Sequence, residues 1–141
     1  MLFRSTDVHE RFRIIQSGES PGISGQKYYG YEDDLLAKVT ANFARHRVTV
    51  TENNVHLVKG LFQDTLQVNE PIALAHIDGD WFESVMTCLL RITPHLAHGG
   101  VLVIDDYFAW SGCRTAVDEY FADKKSEFEF IQRARLHIVR K

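Results

Sequence analysis

Cysteine is scarce in this chain, with two in 141 residues, Cys88 and Cys113. Two thiols that far apart make neither a zinc-ligand spacing nor a disulfide framework. Both fall in helix-like stretches and are expected as buried free thiols. No apolar run approaches the roughly 18 residues of a membrane span. The opening MLFRSTDVHERFRII lacks the apolar stretch of a signal peptide. These absences predict a cytoplasmic protein that uses no membrane. Positive charge is not in excess: Lys and Arg number 16 against 19 Asp and Glu, a net charge of −3. That removes the electrostatic case for nucleic acid or an anionic membrane surface as partner. A phosphate cradle is also missing. SGESPGISGQKYYGY, residues 17–31, is rich in Gly and Ser, but it holds neither G-x-G-x-x-G nor G-K-[ST], and no apolar strand leads into it. It reads as a long mobile loop. No internal repeat is present.

What is there is the composition of a soluble globular protein, 45% hydrophobic and 25% charged, with length for one domain over 1–141. Residues 1–16 hold at most a short helix. EDDLLAKVTANFARH, 32–46, places Leu35, Leu36, Val39 and Phe43 on one stripe and predicts an amphipathic helix. RVTVTENNVHLVKG offers two short β-type runs, with 55–59 the firmer strand. IALAHID reads as a strand over 72–78. FESVMTCLLRITPHLAHGG reads as a helix closed by Gly99-Gly100, VLVIDD as a strand, and GCRTAVDEYFADK as a helix. EFEFIQRARLHIVRK reads as an antiparallel hairpin. From residue 55 the order β-β-α-β-α-β-β predicts an α/β fold with a mostly parallel sheet covered on both faces. The strands at 72–78 and 100–105 are expected side by side, with the hairpin beyond 100–105 and its last strand, 136–140, antiparallel to its neighbour.

Two of these strands end in acids. IALAHI runs into Asp78-Gly79-Asp80, and VLVI runs into Asp105-Asp106. In open parallel sheets ligands bind at the carboxyl ends of the strands, and neighbouring strands lie about 5 Å apart. Converging carboxylates raise one another's pKa, and a divalent cation is the usual relief. Oxygen ligands without His or Cys favour Mg²⁺, Mn²⁺ or Ca²⁺. Any one of the acids is also an ordinary turn or cap residue; Asp80 stands where it would cap a helix starting near Trp81. Two chemistries use such a set. In phosphoryl transfer of the haloacid dehalogenase type, Asp78 and Asp80 would be nucleophile and acid/base. That scheme wants a Lys before the later acid pair, and 81–104 contains none. The other chemistry is metal-assisted transfer onto a substrate hydroxyl.

HIDGDWFES followed by LAHGGVLVIDDYFAWSGCRTAVDEYF resembles the macrocin O-methyltransferase family, whose members methylate sugar hydroxyls in antibiotic biosynthesis. VTANFAR and LVKGLFQDTL add to the resemblance, which runs from about residue 32 to 122. It implies a class I methyltransferase fold, a Rossmann-like, mostly parallel sheet with a C-terminal antiparallel hairpin, and S-adenosylmethionine as methyl donor. It implies Asp78, Asp105 and Asp106 as ligands of Mg²⁺ or a similar cation, and Asp80 as general base. Phe62 and Gln63 in GLFQD become cofactor-binding candidates, although Phe62 is equally an ordinary core aromatic. Tyr107 and Trp110 either line the acceptor site or pack. Arg114 either pairs with an acid or starts a helix. His76 is expected as a packed, hydrogen-bonded histidine rather than a base.

The family's first strand with its Gly-rich turn, and its second strand with a ribose-binding acid, have no counterpart before residue 32. The sheet is therefore expected to lack its first two strands, a truncated methyltransferase domain in which 17–31 is the loop and 32–141 the sheet and helices. The strand at 72–78 then has an unpaired edge, or pairs with 55–59, and such an edge invites a homo-oligomer or another associated chain. The expected function is the C-terminal portion of a metal-assisted O-methyltransferase acting on a sugar-containing small molecule. The alternative is a non-catalytic remnant, or half of a split enzyme, that keeps the metal site. In either case the chain alone is expected to bind S-adenosylmethionine poorly.

Overall fold

Pro94 sets the layout of the central unit. The helix that begins at Phe82 is followed by a single 3₁₀ turn, Thr93–His95, with Pro94 at its start. Proline has no N–H for the helical ladder and its ring clashes one turn back. The helix expected to run to Gly99-Gly100 therefore ends at Ile92. The next strand starts at Leu96, and the two glycines lie inside it. A computed structural model describes Arg13 and residues 34–50 and 55–141 of the chain. The 17–31 loop and the rest of the first 16 residues lie outside the described residues.

Residues 62–141 belong to one compact unit and the described residues up to 61 to another. In the first, a four-residue turn of helix, α2 (Phe62–Thr65), leads to strand β1 (Ile72–Ile77), helix α3 (Phe82–Ile92), strand β2 (Leu96–Ile104), helix α4 (Ser111–Tyr120), and strands β3 (Phe128–Gln132) and β4 (Leu136–Arg140). The sheet order is β1-β2-β4-β3. β1 and β2 are parallel, and β4 is antiparallel to both β2 and β3. This is the expected arrangement of 72–78, 100–105 and the hairpin, in a mixed α/β sheet. Among the described residues β1 has one sheet neighbour, β2.

The register between β1 and β2 shifts between Ile72 and Leu74, where β2 advances from Leu96 to Val101. Gly99 takes φ +76°, and a Cβ on Gly100 would stand 2.8 Å from the carbonyl oxygen of Ala97 and 3.0 Å from that of Ile72. The glycine pair thus accommodates an irregularity in a strand rather than closing a helix.

The core lies on one face of the sheet. α3 turns Val85, Cys88, Leu89 and Ile92 inward, the one-face spacing of a helix. α4 buries Gly112, Cys113, Ala116 and Val117, small residues that allow close approach. They meet Ile77, Leu102, Ile104, Leu136 and Ile138 of the strands. Phe121 closes the hairpin end, packing edge-to-face on Phe128 and Phe130 at centroid distances of 5.0 and 5.4 Å. Cys88 and Cys113 are buried free thiols, and burial pushes them up to about 11 and about 12.

In the other unit, helix α1 (Leu35–Arg45) is capped by Asp34, whose side chain accepts from the Ala37 N–H at 3.0 Å. No residue of α1 is buried. Residues 55–59, the firmer of the two predicted strands, are not in a strand. Apolar β-type residues make a strand only where a ladder partner exists, and the described sheet has its four strands elsewhere.

Candidate acid site at the strand ends

Ile77 and Ile104 are register partners at the ends of β1 and β2. The Asp105 N–H donates to the Ile77 carbonyl at 3.0 Å, so the ladder continues one step past β2. Side chains alternate along extended backbone. Ile104 points into the core with no exposure, so Asp105 turns to the opposite face, the one that carries His76. Asp106 turns back toward the core side. Adjacent acids on one strand end therefore part company.

At the end of β1 the chain turns tightly. The Trp81 N–H donates to the Gly79 carbonyl, and the left-handed conformation falls on Asp80, at φ +52°. Asp tolerates this region better than most residues. Gly79 answers to space rather than to backbone angle. A Cβ there would lie 3.2 Å from Val85 Cγ2 on the first turns of α3, so the loop lies down against the helix. The N-cap position of α3 falls on Trp81, whose side chain makes no capping hydrogen bond.

The result is a group of three carboxylates, Asp78, Asp80 and Asp106, each offering an oxygen within 4.8 Å of the others'. Asp106 Oδ2 is buried and has no hydrogen-bond partner. Burial, then the hydrogen bond and charge of Asp80, then Asp78, push the Asp106 carboxyl from 3.8 up to about 8. An acid that has one buried orphan oxygen and stands beside two further carboxylates either keeps a proton or meets a cation. The donor set is all oxygen, as a hard divalent cation prefers. The residues fit such an ion, with Asp78, Asp80 and Asp106 the atoms at hand.

Asp105 stands outside this group. Its Oδ1 accepts from Arg135 Nε at 2.6 Å and is 3.0 Å from His76 Nε2. The Arg135 guanidinium, with His76 in support, holds the Asp105 carboxyl below its ordinary value against the opposing effect of burial. His76 is thus hydrogen-bonded as expected, though its side chain is 56% exposed. Of the two partners of Asp105, Arg135 was not legible as part of the site. Arg135 lies in a turn some thirty residues on, and only the β4–β2 pairing brings it there.

Tyr107 donates to Asp118 Oδ1 at 2.8 Å and packs with Trp110 against the core. Arg114, on the first turn of α4, donates to the Tyr107 and Phe108 carbonyls. Phe62 and Gln63 lie elsewhere. The Arg91 guanidinium takes the carbonyls of Phe62, Gln63 and Leu66 at 3.0, 2.7 and 2.6 Å. That ties the α2 turn to the last turn of α3, about 15 Å along the helix from Trp81 at 1.5 Å per residue.

The sequence matches the family model of macrocin O-methyltransferase (TylF) over residues 32–133. Demethyldecarbamoylnovobiocin O-methyltransferase of Streptomyces niveus is 33% identical over 136 residues, covering 86% of this chain and 51% of that protein. Mycinamicin III 3''-O-methyltransferase of Micromonospora griseorubida is 37% identical over 121 residues, covering 81% of this chain and 46% of that protein. The solved structure of the O-methyltransferase NovP superposes with a TM-score of 0.65 at 30% identity, over 74% of this chain and 43% of that one. The chain spans about half the length of these two named relatives. No helix among the described residues is long and apolar enough to cross a membrane.

Proposed function

The chain belongs to the macrocin O-methyltransferase family, and from that premise we propose that its acid site serves S-adenosylmethionine-dependent methylation of a sugar hydroxyl, assisted by a divalent cation. The observation that carries the reading is the convergence of Asp78, Asp80 and Asp106 at the tips of two neighbouring parallel strands, around a buried oxygen with no partner. Asp78 and Asp106 hold the ion, with Asp105 the further ligand that the family resemblance implies. A bound Mg²⁺ or Mn²⁺ supplies Lewis acidity that makes an acceptor hydroxyl easier to deprotonate. S-adenosylmethionine, when bound, would supply the methyl group, and Asp80, on its left-handed turn, would take up the acceptor hydroxyl's proton. Relatives named for novobiocin and mycinamicin substrates support a glycosylated natural product as acceptor.

The half-length match supports a second reading, in which these residues are the acid-bearing part of a larger site and S-adenosylmethionine binds weakly to this chain alone. Two measurements test the pair. Thermal melting with Mg²⁺ or Mn²⁺ should show stabilisation that grows with ion concentration and disappears in Asp106→Asn; an unchanged melting curve rejects the metal site. Calorimetry with S-adenosylmethionine separates the readings, since binding at micromolar concentration or tighter rejects the second.

A further inference from the structure

Asp105 is bracketed from both sides of its strand. Leu136 of β4 is the register partner of Ile104, so Arg135 stands across from Asp105, an opposite-charge cross-strand pair. On the other side Val103 is the register partner of His76. Both contacts converge on one carboxylate oxygen, Oδ1, at 2.6 Å from Arg135 Nε and 3.0 Å from His76 Nε2. The three acids whose oxygens already converge do not include Asp105. The turn that carries Arg135 is braced by the Arg133 N–H, which donates to the Arg135 carbonyl at 3.0 Å.

We propose that Arg135 is a positioning residue that competes with a divalent cation for Asp105, holding this carboxylate on the far side of the strand end until an ion at the other acids draws it away. The inference rests on the metal reading above. Two physical features favour competition over permanent sequestration. The Arg135 side chain is 48% exposed and that of Asp105 22%, and a solvent-screened ion pair is readily exchanged. A guanidinium so placed also opposes an incoming cation directly, since its positive charge is felt by Asp106 and Asp78 as well as Asp105. Loading the ion thus means trading a monovalent partner for a divalent one at the same carboxylate.

The test is Mn²⁺ affinity, read by electron paramagnetic resonance of the free ion, for the parent chain and the variants Arg135→Gln, Arg135→Lys and Arg133→Gln. Arg135→Gln should bind Mn²⁺ roughly two- to fivefold more tightly, the range an exposed pair can supply. Arg135→Lys, which keeps the charge, should fall between it and the parent. Arg133→Gln removes the same charge from the same turn and should leave the affinity unchanged. In an Asp105→Asn background the Arg135→Gln gain should shrink to what the direct charge effect on the other acids supplies; an undiminished gain overturns the competition. A purely structural role for Arg135 cannot produce tighter binding, so equal or weaker binding by folded Arg135→Gln overturns the competition, as does an equal gain from Arg133→Gln. If neither parent nor any variant binds Mn²⁺, the metal reading itself falls, a result distinct from both.

Discussion

β1 and β2 each end in two carboxylates, and the two pairs behave differently. Asp105 and Asp106 are adjacent where the chain leaves β2, and they part: Asp105 meets Arg135 and His76, while Asp106 joins the other acids. Asp78 and Asp80 are separated by Gly79 and a left-handed turn, and both reach the same group of oxygens as Asp106. Residues two apart share a face of extended backbone and adjacent ones do not, so spacing already separates the two pairs. The acid that parts from its neighbour is available to something else, here Arg135 and His76. Three acids gather at the site, and the fourth is held apart by partners of its own.

The comparison breaks most severely at Asp80. In a preparation competent for methyl transfer, Asp80→Asn should lower turnover by about 10²–10⁴, the usual worth of a positioned general base. Asn tolerates left-handed backbone nearly as well as Asp, so metal-dependent melting should persist. Steady-state kinetics alongside melting decides it; near-parent turnover would make Asp80 a turn residue only. Leu89→Ala, by contrast, strikes the support common to both strands. Leu89 is fully buried, and its truncation should cost about 2–5 kcal/mol in urea unfolding. Gly79→Ala sharpens the difference between the two ends. The added methyl meets Val85 at 3.2 Å, and a cost of about 1–3 kcal/mol is expected from overpacking, with weaker Mn²⁺ binding as Asp78 and Asp80 are pushed off the helix. An unchanged Mn²⁺ affinity would mean that the turn does not position the acids.

A pH dependence bears on the same comparison. The Asp106 carboxyl is raised from 3.8 to about 8 in the folded chain. Between those values the folded state keeps a proton that the unfolded state has lost, so stability without divalent ions should fall as pH rises from about 4 to 8. Asp105, whose carboxyl is lowered, works in the opposite sense, and only at and below the ordinary carboxylate value. Asp106→Asn should flatten the slope above pH 4, and saturating Mg²⁺ should remove it. Chemical denaturation at several pH values reads this directly.

The strand order was legible in the sequence because each apolar run carries its own boundary, a glycine, an acid pair or a turn. Four acids at two strand ends were legible for the same reason. Which of them meet was not, because that depends on how the chain turns beyond Ile77 and beyond Ile104 and on what stands across from each acid. Asp105 could have been placed by alternation, one residue beyond the inward-pointing Ile104. Arg135 could not, since its role exists only once β4 lies beside β2. Residues 55–59 show the same limit from the other side. Their composition is that of a strand, but pairing is a property of two segments, and no ladder holds them among the described residues. Pro94 was plain in the sequence, and it alone moves the start of β2 forward to Leu96.

The position of β4 has a consequence for the order in which the sheet can be built. It is the last of the four described strands to be synthesised, yet it lies between β2 and β3. Until residues 136–140 have left the ribosome, β3 has no neighbour within the sheet and the outer side of β2 stays open. β1, α3 and β2 can assemble early, as a local parallel unit. β3 must wait, and Phe128 and Phe130 wait with it. Docking of the hairpin is then a late step of biosynthesis, and the same step carries Arg135 to Asp105. The acid site passes through an interval in which its carboxylates have formed but their guanidinium counter-charge has not arrived.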